Sequence, residues 1–248
     1  MVFLGVLGLL GFIESSKSGS VCTGLNISIT HACTDSLINE EVVRNRIGEA
    51  SGELVNMNLR SIDFDHLEEA LYSIPHVKHA AVYSTIDHEI QIEVSERRPI
   101  ARIIDDESGV SALIDESGVL IPLSLIKAIR LPVFTGSFGL VNTLDWELKS
   151  VESSLLKPRL KAVYEMASEI DGNEFWQAQF QHLNFENNGD LVVYPQVGNH
   201  LIIFGTGQYK TKLEKLQTFY SQGMNGETWN KYKSVNLKYE DQIVCTKK

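Results

Sequence analysis

Between residues 22 and 104 the hydrophobic period runs from two to 3.6 and back to two, an order that leaves few folds open. LNISITH (25–31) alternates apolar and polar residues as a half-buried strand does. Asn39 then offers an N-cap, Glu40 and Glu41 suit the positive end of a helix dipole, and Ile38 can staple onto Val43; this helix is expected to end near Gly48–Gly52. In SIDFDHLEEALYSIP, Phe64, Leu67, Leu71 and Ile74 form one apolar stripe, with Asp63 as N-cap and Pro75 as stop. VKHAAVYSTID and EIQIEVSERRPIARII read as strands joined by a turn at Asp87–His88. Ile90, Ile92 and Val94 point inward and Glu89, Gln91 and Glu93 outward. Strand, helix, helix, strand, strand predicts a small α+β domain over residues 21–104, with its helices on one side of the sheet.

From residue 105 to 248 the pattern is richer in short strands. SGVSALIDESGVLIPL reads as a hairpin around Ser117–Gly118, and RLPVFTG as a short extended piece. KPRLKAVYEMASEID places Leu160, Val163, Ala167 and Ile170 at helical spacing behind Pro158. QFQHLNFENNGDLVVYP is a hairpin with Asn188–Gly189 at its tip. HLIIFG is an apolar strand, and YKTKLEKLQTFYSQG an amphipathic helix with Leu213, Leu216 and Phe219 inward. The ending, residues 234–246, reads as one strand with Val235, Leu237, Tyr239, Ile243 and Cys245 on one face and Asn236, Lys238, Glu240, Gln242 and Thr246 on the other. Nothing after it covers its free side, so it is expected to be a sheet margin, an interior strand, or a docking edge for a partner.

The net charge of −10 argues against nucleic-acid binding. From Gly205 onward, however, eight lysines stand against four carboxylates, a net +4 on an otherwise acidic chain. Such a module can recognise an acidic protein segment, though solvated lysines are the commoner meaning. Residues 1–13, MVFLGVLGLLGFI, lack any polar side chain. A 13-residue helix reaches ~20 Å, short of a ~30 Å hydrocarbon core. Three readings stand: a membrane anchor over residues 1–16 whose true start lies upstream, a signal peptide, or a buried helix. The leading two export the rest of the chain. Cys22, Cys33 and Cys245 make no disulfide framework. A strand from Cys22 to His31 holds the first two too far apart to bridge. Cys245 reads as a small buried apolar residue.

Little here carries chemistry. His76 and His79 fall on a strand start, with no further ligand at metal-site spacing. GTGQYKT joins a strand to a helix but matches no phosphate-binding loop. Asp105–Asp106–Glu107 lacks the alternating ligands of a calcium loop and reads as a solvated interdomain edge. No cofactor or metal is implied, and the chain reads as a binding protein rather than an enzyme.

Several segments resemble the bacterial cell-division family FtsQ/DivIB. IDFDHLEEALYSIPHVKHAAV is similar to the second helix, terminating Pro and following strand of that family's POTRA domain. VSERRPIARI resembles its E-R-x-P-x-A exit segment, LIDESGVLIPL its D-x-x-G hairpin, LPVFTG its L-P-x-x-x-G piece, and VNLKYEDQIVCTKK its last strand. The resemblance implies a non-enzymatic, single-pass scaffold of the inner (cytoplasmic) membrane at the division septum, with the bulk of the chain periplasmic. It implies FtsB-like and FtsL-like partners, and an FtsK-like partner for the POTRA domain. The C-terminal edge would pair with a strand of the FtsB-like protein through Asn236, Leu237, Lys238, Tyr239, Glu240, Asp241 and Gln242. Lys238 and Tyr239 are then the basic–aromatic pair, Lys238 meeting a partner carboxylate and Tyr239 either core or contact. A POTRA-bearing component of outer-membrane transport is the alternative, but residues 105–248 hold two amphipathic helices and too few strands for a barrel. An exported hydrolase with a site assembled only in three dimensions is a third reading.

Overall fold

The computed structural model describes residues 20–32, 36–123, 130–140, 158–223 and 230–248. The apolar run at residues 1–13 and the expected anchor at 1–16 lie outside them. Among the described residues no helix is long and apolar enough to cross a membrane. The chain divides into two units at Arg97/Arg98.

In the first unit, strand β1 (Gly24–Thr30) is followed by helix α1 (Glu40–Ser51), helix α2 (Phe64–Tyr72), and strands β2 (Val77–Ser84) and β3 (Glu89–Glu96). The sheet order is β1-β3-β2, with β3 parallel to β1 and antiparallel to β2. The expected caps are in place. Asn39 Oδ1 accepts from Val42 N–H at 2.9 Å and Asp63 Oδ1 from His66 N–H at 3.1 Å, each worth about 1 kcal/mol. Gly52, at φ 71°, takes the left-handed turn that ends α1. Leu67, Leu71, Ile90, Ile92 and Val94 are buried together with Val43 and Ile47. Each buried aliphatic side chain contributes about 1.5–3 kcal/mol. The outer sheet face keeps Glu89, Gln91 and Glu93 in solvent or half-exposed. Glu96 is the exception. Its buried Oε1 accepts from Ser36 Oγ and from the N–H groups of Leu37 and Ile38, fixing the approach to α1.

The second unit begins earlier than residue 105. Strand β4 (Pro99–Asp105) belongs to the second sheet, where it pairs with β5 (Ser111–Asp115) and with β7 (Val133–Gly136). Pro99 lacks an N–H, and Arg98 forks onto both carboxylate oxygens of Asp171 at 2.8 Å while its Nε reaches Glu116 at 2.8 Å. Those hydrogen bonds, Asp171 first, raise the Arg98 pKa and tie the start of β4 into this unit. Strand β6 (Leu120–Pro122) completes one side of the sheet. Helices α3 (Pro158–Asp171) and α4 (Glu174–Gln179) are followed by strands β8 (His182–Phe185), β9 (Leu191–Val193) and β10 (Leu201–Gly205) and by helix α5 (Tyr209–Gly223), and the described chain closes with β11 (Tyr232–Asn236) and β12 (Val244–Lys247). The nine-stranded order is β12-β11-β10-β9-β8-β7-β4-β5-β6.

Two expectations fail here. Asp105 is buried rather than a solvated edge. Its oxygens accept from the N–H groups of Glu107, Ser108, Phe138 and Leu140, joining its own turn to a loop more than 30 residues on. Burial alone would raise its pKa, but the four donors hold it below the ordinary value. The ending is also not one strand but a hairpin, β11 turning back into β12.

Candidate protein-binding edge

The hairpin breaks where the alternation does. Glu240, Asp241 and Gln242 are three consecutive polar residues, where a strand would put an apolar side chain at 241. Asn236 Oδ1 accepts from Lys238 N–H at 3.0 Å, a local turn that competes with the ladder. Lys215 Nζ donates to the carbonyls of Tyr239 and Glu240 at 2.8 and 2.6 Å, holding the tip. Lys238 Nζ meets Asp190 Oδ2 at 2.7 Å, which raises its pKa above 10.5. Its stem lies across Gly205, at φ 68°, where an added Cβ would sit 2.7 Å from Lys238 Cγ. The carboxylate opposite Lys238 is therefore in its own chain.

The seven residues expected at a partner contact thus divide. Asn236 ends β11 half-buried, and Leu237 is buried with its N–H on Ile203 C=O at 2.9 Å. Tyr239 is 49% exposed, so it is not core. Glu240, Asp241 and Gln242 form the exposed tip, beyond the strand. Val235 and Leu237 point inward as expected, while Cys245 is only half-buried. Cys22 and Cys245 are free thiols, and Cys33 lies outside the described residues.

The free margin is β12, which the sequence reading did not separate from β11. Leu237 bonds to β10, so Ser234 and Asn236 turn their backbone groups toward β12, opposite Thr246 and Val244. Lys248 N–H donates to Lys231 C=O at 3.2 Å, in the same phase. The N–H and C=O groups of Cys245 and Lys247 therefore face outward. At the other margin, β6 is three residues long and contains Pro122, features that blunt an edge.

Among the described residues no competing centre is built. The GTGQYKT turn closes on itself: Gly205, Gly207 and Gln208 have positive φ, and Lys212 Nζ donates to Thr206 C=O. A cavity of about 710 Å³ lies beside it, bordered by Phe138, Arg159, Phe185 and Tyr209; Glu165 is the one carboxylate among its described lining residues. Among the described residues no group of three or more His, Cys, Asp or Glu is placed to hold a metal ion.

Comparison with known proteins agrees with this layout. A family model described as FtsQ/DivIB, C-terminal related matches residues 98–246, and one for a POTRA-like domain matches residues 20–95. The cell division protein FtsQ of Koribacter versatilis is 23% identical over 218 residues, 83% of this chain. The chain spans 57% of that relative's length. With the family match covering residues 98–246, more than half of the chain, behind a POTRA-like domain, the chain belongs to the FtsQ/DivIB family.

Proposed function

We propose that this chain is a non-enzymatic, membrane-anchored scaffold of bacterial cell division that binds an FtsB-like partner by strand addition on β12, in a complex that includes an FtsL-like protein. The observation that carries the reading is the outward pair of backbone groups on Cys245 and Lys247, at a margin no described strand covers. An added strand would make up to four main-chain hydrogen bonds there, net about 2–6 kcal/mol at ~0.5–1.5 each. Association costs roughly 4–15 kcal/mol, so the edge alone is too weak. Exposed Tyr239 and Val244 supply the apolar area that makes up the difference. Lys247 and Lys248 favour an acidic segment next to the added strand. In this reading the contact centres on Val244–Lys247, and from the 236–242 stretch it takes chiefly Tyr239 and the exposed tip Glu240–Gln242. The POTRA-like domain would take the FtsK-like partner, and residues 1–16 would anchor the chain in the inner membrane with both units periplasmic.

The test is amide hydrogen exchange on the full chain, with and without the partner's extracytoplasmic segment. Slowed exchange at Cys245 and Lys247 supports strand addition. Binding that leaves both amides unchanged overturns the edge but not the division role, which fails if cells depleted of the protein still divide normally.

A further inference from the structure

The first unit has an open edge of its own, and it differs from β12. Its sheet margins are β1 and β2. The β2 margin is occupied: Glu68 Oε1 accepts from Val82 N–H at 2.8 Å, and Tyr72 Oη donates to Ala80 C=O at 3.3 Å. Among the described residues the margin of β1 is occupied only at its approach, where Cys22 N–H donates to Met57 C=O and Asn56 N–H to Cys22 C=O, both at 2.8 Å. From Gly24 to Thr30 no described strand lies beside it.

The phase of the open stretch follows from β2. Val82 N–H and Ala80 C=O face away from the sheet, so Ala81 and Tyr83 bond to β3. The alternation carried across β3 turns the backbone groups of Leu25, Ile27 and Ile29 outward. The segment Gly24–Thr30 spans ~23 Å and has no charged residue and no proline, the devices that normally protect such an edge.

Its surroundings select the occupant. On the solvent face Gly24 stands beside Glu89, and Ser28 beside Glu93. Both β1 residues are small, so a long side chain on an added strand can lie over them and reach these carboxylates two strands away, ~9.6 Å in strand spacing. Residues 20–97 carry thirteen carboxylates against five Lys and Arg, a net −8, which opposes pairing with a second copy. We propose that β1 is a docking edge for an extended basic segment of another protein, with Lys or Arg at positions four apart opposite Gly24 and Ser28. This site goes beyond strand addition on β12 and does not rest on it.

The probe is the peptide acetyl-Thr-Lys-Val-Ser-Val-Lys-Val-Thr-amide, titrated into the full chain and followed by hydrogen exchange at low and high salt. Binding should slow the amides of Leu25, Ile27 and Ile29 and weaken with salt. It should fall by about tenfold in a Glu89→Lys/Glu93→Lys variant whose melting temperature is unchanged, and less in Glu89→Gln. Equal binding of the same peptide with Glu in place of Lys overturns the proposal. So does protection confined to Cys245 and Lys247. Slow exchange at the three β1 amides without peptide, growing with protein concentration, would make a second copy the occupant and overturn it as well.

Discussion

Strands β1 and β12 are both sheet margins with outward backbone groups, yet they sit in opposite electrostatic surroundings. β1 is uncharged and flanked by Glu89 and Glu93, in a unit of net −8. β12 ends in Lys247 and Lys248, in a stretch of net +4. Main-chain pairing is blind to sequence, so two open edges on one chain would compete for the same partners unless charge separates them. The two margins β2 and β6 show the contrasting solution, a side-chain cover in one and a proline in the other.

The largest expected effect isolates β12. Lys247→Pro removes an outward N–H without touching the ladder to β11, where Thr246 and Val244 make the inward bonds. Docking of the FtsB-like segment should fall by about a hundredfold or more, through the lost bond and the clash of the ring with an incoming strand. The melting temperature and the binding of the lysine peptide at β1 should not change. Loss of both bindings in calorimetric titrations would mean that the edges do not act separately.

The next effect converts a covered margin into an open one. Glu68→Ala leaves Val82 N–H without its acceptor and should cost about 1–2 kcal/mol in urea unfolding. The variant should also bind the lysine peptide at a second site on β2, with new protection at Ala80 and Val82. Unchanged stoichiometry would show that an exposed backbone edge, even with the β3 carboxylates two strands away, is not sufficient, and that the small residues Gly24 and Ser28 on β1 matter more.

What was legible in the sequence was local. Asn39, Asp63 and Pro75 mark helix ends by capping chemistry that acts within three residues, and Asn188–Gly189 marks its turn in the same way. Helix α4 escaped notice because six residues are too few for a period, although Asn173 caps it by accepting from Phe175 and Trp176 N–H. The place of β4 in the second sheet depends on Arg98 finding Asp171, 73 residues away, and the burial of Asp105 on donors at 138 and 140. Neither partner is visible from a short window. The split of the last strand was different: Glu240–Asp241–Gln242 interrupts the alternation, and reading across it merged the inner strand β11 with the true margin β12. That is why the expected contact residues Asn236–Gln242 fall mostly on the turn and not on the edge.

The smallest effect concerns that turn. Lys238 and Asp190 pin the strand that precedes it, with Lys238 half-exposed, so solvent and salt screen the pair. Lys238→Ala should leave the fold intact, speed exchange of the 238–242 amides a fewfold, and weaken docking at β12 by a similar factor, because Tyr239 is then less well placed. The pH dependence has a definite sign. Asp190 raises the Lys238 pKa above its ordinary 10.5, so the pair stabilises the folded turn fully below that pH, and the stabilisation disappears as pH rises through the folded-state value. The difference between wild type and Lys238→Ala should therefore be constant from pH 7 to 10 and vanish in more alkaline solution, while exchange at the β1 amides of both proteins stays equal throughout. A mutant difference that persists after Lys238 has lost its proton would assign its role to the stem packed on Gly205 and not to its charge.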